Sequence, residues 1–266
     1  MKQLTHLKIN NFGNDDEEKD IIGIDLFIED KVNLEYLEME GYRFKQTNFL
    51  TNGNLKNLTF LDVNNSSMKN QDFANLIVSP NLPKLTTLKA NNLYHDETVA
   101  TFPPNSQSSV TYLDIRYCEL VLFPSLLDHC PKLKKLKVLP GGEDEYISLK
   151  ELLNMMKSPS LSNLEYLDIT CCGETVEIIF TSPIYSNLQE LRLELHESSN
   201  QTLDISLVSK CTTLVNLKTL DLWRTEYLAE LEEEIKRNPT FSKVKNLKVP
   251  KPKNLKKCGK SFGRSY

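Results

Sequence analysis

One six-residue pattern, apolar-x-x-apolar-x-apolar, recurs ten times along the chain. It starts at Leu4 (LTHLKI), Leu34 (LEYLEM), Leu58 (LTFLDV), Leu85 (LTTLKA) and Val110 (VTYLDI). It starts again at Leu133 (LKKLKV), Leu164 (LEYLDI), Leu188 (LQELRL), Leu217 (LKTLDL) and Val244 (VKNLKV). Successive starts lie 23 to 31 residues apart. The last four positions of each block alternate apolar and polar, which predicts a short half-buried strand. One such unit cannot bury its apolar face alone, whereas stacked neighbours bury a continuous core. The pattern therefore predicts an α/β solenoid of about ten units. Its strands form one parallel sheet on the concave side of a curved horseshoe. At about 4.8 Å per strand, that sheet runs roughly 45 Å along the stack.

The segments between blocks are predicted to cross the convex side as helices or irregular arcs. Residues 148–157 (SLKELLNMMK) place Leu149, Leu152, Leu153 and Met156 on one face, with Ser148 and Glu151 as a capping box. Residues 226–237 (EYLAELEEEIKR) place Leu228, Leu231 and Ile235 together, with Thr225 as a cap and Asn238-Pro239 as a stop. Residues 71–78 (QDFANLIV) predict a third helix. The arcs at 96–104 and 121–130 contain prolines and read as irregular or 3₁₀. The acidic run Asn14–Glu18 reads as a solvated loop. The run beginning Gly141-Gly142 reads as an exposed loop, since no following Lys or helix start makes it a phosphate loop. The solenoid is predicted over residues 1–250 and a basic, flexible tail over 251–266.

The polar positions of the blocks fall into columns on the concave face. The first column carries Tyr36, Phe60, Tyr112 and Tyr166. Such rings either anchor a partner or stack along the sheet and fill space between strands. The second column runs Lys8, Glu38, Asp62, Lys89, Asp114, Lys137, Asp168, Arg192, Asp221, Lys248. Its alternating signs fit charge pairing between strands, or complementarity that selects a partner. The third column holds Arg116 and the single tryptophan, Trp223. Tyr112, Arg116, Tyr166, Asp168 and Trp223 outline the preferred patch, and Tyr36, Phe60 and Arg192 complete the candidate partner-binding set.

Composition narrows the function class. Hydrophobic residues make up 39% and charged residues 26%, with a net charge of −4. That describes a chain with a real core and gives little reason to expect nucleic acid. The four histidines lie far apart at positions 6, 95, 129 and 196. No metal-ligand spacing, nucleophile elbow or nucleotide loop occurs, so neither an enzyme nor a cofactor is expected. The six cysteines form no C-x-x-C pair, and with no signal-peptide stretch at the N-terminus the expected location is cytoplasm or nucleus. No window approaches a membrane span. Residues 243–264 hold nine basic residues and no acid, which fits a solvated tail, an import signal or a weak phosphate contact.

The ten blocks resemble the leucine-rich-repeat family across about residues 1–250. The family pattern places Asn or Cys three residues after the last block aliphatic. Here that position is Cys118 in LDIRYC and Cys172 in LDITCC, and elsewhere it is occupied by other residues, so an asparagine ladder is not expected. The cysteine-containing units are similar to those of F-box substrate receptors. That resemblance implies a protein partner on the concave face and a Skp1-like adaptor of a cullin ubiquitin ligase. The first block begins at Leu4 and leaves no room for an F-box, so an adaptor would require an F-box elsewhere in the gene product. The alternative is a free-standing regulator or inhibitor, monomeric, that occludes a partner's surface.

Overall fold

Each apolar block forms a strand where the alternation places it. The computed structural model describes residues 4–10, 33–42, 44, 50, 53–93, 98–119, 125–139, 145–195, 203–223 and 229–249. The strands are β1 (His6–Asn10), β2 (Tyr36–Glu40), β3 (Phe60–Asp62), β4 (Thr87–Lys89) and β5 (Tyr112–Asp114). They continue as β6 (Lys135–Val138), β7 (Tyr166–Cys171), β8 (Glu190–Leu195), β9 (Thr219–Trp223) and β10 (Asn246–Lys248). All ten lie in one parallel sheet in sequence order. Register pairs each block with the same block position of its neighbour, as in Leu37↔Leu61, Leu113↔Leu136 and Leu167↔Leu191. Slipping by one residue would turn every leucine outward, so burial fixes the register.

The inward row is closed at the centre and open at its ends. Leu37, Leu61, Leu88, Leu113, Leu136, Leu167, Leu191 and Leu220 are fully buried, while Leu7 and Leu247 are partly buried. The block-opening residues from Leu34 to Leu217 form a second buried row beside it.

The layer behind the sheet contains α1 (Asn70–Ile77), α2 (Glu145–Met155), α3 (Gly173–Thr181), α4 (Ile205–Lys210) and α5 (Ala229–Arg237). Three of these correspond to the helices predicted at 71–78, 148–157 and 226–237. Helix α2 starts at Glu145, three residues before Ser148, so Ser148 lies inside the helix and is not its cap. Helices α3 and α4 were not predicted. Residues Thr175, Val176, Ile178 and Ile179 have modest helix propensity, and packing supplies what propensity lacks. The 121–130 arc contains the expected 3₁₀ turn at Leu126–His129, and the described part of the 96–104 arc has no helix.

A recurrent 3₁₀ turn leads into several strands. Ser158-Pro159, Ser182-Pro183 and Asn238-Pro239 each begin one, their side-chain oxygens accepting from the N–H groups of Ser160, Ile184 and Thr240. Each turn delivers a buried residue to the core: Leu161, Tyr185 and Phe241. The Tyr185 hydroxyl donates to the Met156 carbonyl at 2.6 Å, so its buried oxygen is satisfied. Asn238 donates through Nδ2 to the Val208 and Cys211 carbonyls around the end of α4.

Asn14–Glu18, the Gly141-Gly142 loop, Thr225, Cys258 and the tail beyond 250 lie outside the described residues, as does the Trp223 side chain. No helix among the described residues is long and apolar enough to cross a membrane.

Candidate interaction face

The open face of the sheet carries the first two polar columns in register from β1 to β10, and the third is paired in register at β1–β2 and from β7 to β9. Its first third closes upon itself. The rings of His6 and Tyr36 stack at 5.6 Å, and those of Tyr36 and Phe60 at 4.2 Å with 6° between planes. Lys89 Nζ sits 5.0 Å above the Phe60 ring and 3.1 Å from Asp62 Oδ2. The Tyr36 hydroxyl donates to Glu38 at 2.6 Å, and Lys8 forms an ion pair with the same carboxylate. The hydrogen bond to Glu38, with burial, pushes the Tyr36 phenol up to about 12. Burial drives Glu38 upward, but hydrogen bonds from Lys8 and Tyr36 hold it below its ordinary value. At Asp62 burial wins over the Asn64 N–H and Lys89, and the carboxyl is raised.

The middle of the face is built differently. Arg116 grips the buried Asp114 two residues before it, with Nε–Oδ1 and Nη2–Oδ2 both 2.9 Å. Burial, followed by the Asp114 charge, pushes Tyr112 up to about 12. Tyr166 donates to Asp168 at 3.2 Å, and burial and that carboxylate raise its phenol. Arg192 lies 5.8 Å from the Tyr166 ring centre and 3.2 Å from Glu190, again two residues away on its own strand. Between these clusters, β6 presents Lys135 and Lys137. Among the described residues, Lys137 forms no ion pair with Asp114 or Asp168, its register neighbours on either side.

The structure therefore brings the candidate residues together in three groups: Tyr36 with Phe60, Tyr112 with Arg116, and Tyr166 with Asp168 and Arg192. Trp223 is placed by its backbone alone, opposite Glu194 on β8. It lies two strands from β7 and four from β5, roughly 10 and 20 Å along the sheet. Sequence reasoning did not single out Glu38, Asp62, Lys89 or Asp114, although all stood in a charged column.

Tyr117 was also missed. It is 53% exposed, with φ at +61°. The same turn position holds Gly41, Asn65 and Asn92, residues that tolerate positive φ; a tyrosine there is disfavoured by roughly 1 kcal/mol. Its N–H donates to the Leu139 carbonyl at 2.7 Å, which helps to hold the turn.

No protein-family model matches the chain. No curated protein matches it in sequence. Among solved structures it is similar to an internalin of Listeria monocytogenes, at 15% identity and a TM-score of 0.30. That match covers 93% of this chain and 87% of the internalin. It is also similar to a leucine-rich-repeat protein of Leptospira interrogans, at 16% identity and a TM-score of 0.25. There the match covers 88% of this chain and 70% of the other. The fold is a leucine-rich-repeat solenoid. That assignment rests on the chain's own ten in-register blocks.

The repeat's polar ladder differs from the expected one. At the position three residues after the last block aliphatic, Cys118 Sγ donates to the Ala90 carbonyl at 3.0 Å. Ser66 Oγ makes the equivalent bond to Met39 at 3.1 Å. Cys172 does not: β7 extends two residues further, burying Cys171, while Cys172 precedes α3 and contacts Thr175 Oγ1 at 3.5 Å. Burial pushes the Cys118 and Cys130 thiols up to about 12, as suits packing thiols and not nucleophiles. Among the described residues no cluster of His, Cys, Asp and Glu could hold a metal ion.

An asparagine row does exist, at the opposite edge, where the strands begin. Asn163, Asn187 and Asn216 immediately precede their blocks. Each Nδ2 donates to a carbonyl of the preceding unit: Pro131 at 3.1 Å, Ser162 at 2.8 Å and Ser186 at 2.9 Å. Beside this row, Thr59, Thr86 and Thr111 donate to Glu35, Thr59 and Thr86 carbonyls at 3.0–3.1 Å. From β6 onward the threonines give way to longer polar side chains, and the edge opens into a groove of about 410 Å³.

Proposed function

We propose that the protein is a non-enzymatic scaffold that binds a protein partner on the open face of its sheet, centred on β5 to β8. One contrast carries this reading. In β5 to β8 arginines pair two residues back along the chain, while Lys137 has no ionic partner among the described residues and Tyr117 is held exposed. Rigid, amphipathic rings such as Tyr112 and Tyr166 offer contact area with few rotors to freeze. Arg116 and Arg192, fixed by neighbouring carboxylates, are pre-organised for a partner's acidic groups. The test is cross-linking capture with the full chain, followed by affinity measurement on the recovered partner. Tyr166→Ala/Trp223→Ala is expected to weaken that partner's binding; unchanged affinity would refute placement on this face.

A narrower form is substrate recognition in a Skp1–cullin ubiquitin ligase. The cysteine ladder bond at Cys118 supports it. Buried free thiols at Cys118, Cys130, Cys171 and Cys211 support a reducing compartment, cytoplasm or nucleus. Co-purification of a Skp1-like adaptor with the full gene product tests it. If no adaptor is recovered, the free-standing regulator is the better reading, with a monomeric chain occluding its partner stoichiometrically.

A further inference from the structure

We infer that the edge where β6 to β10 begin is a second binding site, for an extended acidic polypeptide. It is separate from the open face, so the two can fail independently. Two rows of side chains line this edge, the residue before each block and the block's second residue. Backbone bonds running from Lys134 through Glu165, Gln189 and Lys218 to Lys245 hold the second row at regular spacing. From β6 to β10 the two rows hold Lys132, Lys134, Lys218, Lys243 and Lys245 against one acid, Glu165. Glu165 is answered by Lys134 at 2.9 Å. Among the described residues Lys218 and Lys243 meet only amide oxygens, Gln189 Oε1 at 2.7 Å and Asn216 Oδ1 at 2.9 Å. Their charges are therefore not neutralised within the groove.

The floor decides which polyanion fits. Asn163 and Asn187 each commit one Nδ2 hydrogen to a backbone carbonyl, so each amide keeps its second N–H as a donor and Oδ1 as an acceptor. A donor beside an acceptor matches the C=O and N–H of a peptide backbone, whereas the acceptor half opposes phosphate oxygens. A polypeptide offers both complements at once, backbone N–H to the amide row and carboxylates to the lysines. Four inter-strand steps of about 4.8 Å span roughly 19 Å, the length of about six extended residues. The threonine row of the earlier strands, bonded to its own backbone, ends the groove at β5.

The test uses the full chain and fluorescein-labelled octaglutamate in anisotropy titrations, beside labelled oligothymidylate and phosphatidylserine vesicles. Saturable octaglutamate binding that weakens with salt is expected. Lys218→Glu/Lys243→Glu should reduce it by roughly tenfold or more. Asn187→Ala should weaken it several-fold, whereas diffuse charge attraction would leave that variant unchanged. Lys256→Ala/Lys257→Ala, in the C-terminal basic segment, should change it less than twofold. The assignment is overturned if octaglutamate fails to saturate, if the 256/257 variant abolishes binding, or if oligothymidylate or vesicles bind more tightly through Lys218 and Lys243.

Discussion

The first four strands and the middle four share one repeat, one register and one alphabet of tyrosine, lysine and aspartate, yet they satisfy those side chains in different ways. In β1 to β4 most partners lie on the next strand: His6 on Tyr36, Tyr36 on Phe60, Lys8 on Glu38, Lys89 on Asp62, beside one bond within a strand, Tyr36 to Glu38. In β5 to β8 the ionic and tyrosine hydrogen bonds run two residues along the chain: Arg116 on Asp114, Tyr166 on Asp168, Arg192 on Glu190, and the crossings between strands are Arg192 over the Tyr166 ring and Thr170 on Glu194. Cross-strand pairing consumes the face, because rings and charges are used to join neighbouring units. Pairing within a strand stiffens side chains while leaving the space between strands unclaimed. An equal-looking column can thus be mortar in one region and a contact surface in the other.

That contrast is broken most directly by exchanging stability and binding readouts. Tyr112→Ala/Tyr166→Ala should lower affinity for the recovered partner by about 1,000-fold, since truncating an anchoring hot-spot ring removes about 2 kcal/mol. Denaturant stability should fall by only about 1–2 kcal/mol, because both rings are half-buried and neither stacks on another ring. A loss of stability larger than the loss of binding energy would show that the middle is mortar as well.

Phe60→Ala is the mirror experiment. It removes the 4.2 Å stack and the ring beneath Lys89. Unfolding free energy should drop by about 2 kcal/mol, with burial and ring stacking both contributing. Affinity for the same partner should stay within about threefold. Equal losses of binding from Phe60→Ala and Tyr166→Ala would merge the two regions into one surface.

These outcomes turn on details that the one-dimensional pattern carries only in part. The ten strands were legible because burial imposes a strict alternation: Leu113 or Leu167 out of phase would face water. The columns were legible for the same reason. The pairing was not. Lys89–Asp62 across strands and Arg116–Asp114 within one strand look alike in a column, and only side-chain length and rotamer separate them. Helix α3 escaped because Val176, Ile178 and Ile179 suit a strand locally and become helical by packing on the layer behind the sheet. The amide row at Asn163, Asn187 and Asn216 was in plain view one residue before each block. The repeat pattern places its asparagine at the other end of the strand, so this row carries no signal in that pattern.

A smaller effect tests whether the open middle is electrostatically available. Lys137→Glu replaces an unpaired cation with an anion between Asp114 and Asp168. Repulsion at this half-buried position on the open face should cost about 1 kcal/mol of stability. Partner association should slow, and the slowing should shrink at high salt, because steering charges act mainly on the association rate. Stopped-flow association at two salt concentrations reads this out. A salt-independent rate would place Lys137 outside the contact.

The smallest effect lies in the acid dependence of the closed region, where two neighbouring carboxyls shift in opposite directions. Glu38 is held below its ordinary value, so it favours the folded state above that value, and the contribution is lost as pH falls through the lowered one. Asp62 is raised by burial, so its charge opposes folding above the raised value, and acidification relieves that opposition. Urea unfolding of Glu38→Gln and Asp62→Asn across the acid range separates the two. The deficit of Glu38→Gln against the native chain should narrow as pH falls, as the native carboxylate loses its bonds to Lys8 and Tyr36. Over the same range the native chain should gain on Asp62→Asn. Parallel trends in both variants would mean that Lys8 and Tyr36 do not hold Glu38 as the geometry indicates, and that the first three strands are less closed than their rings suggest.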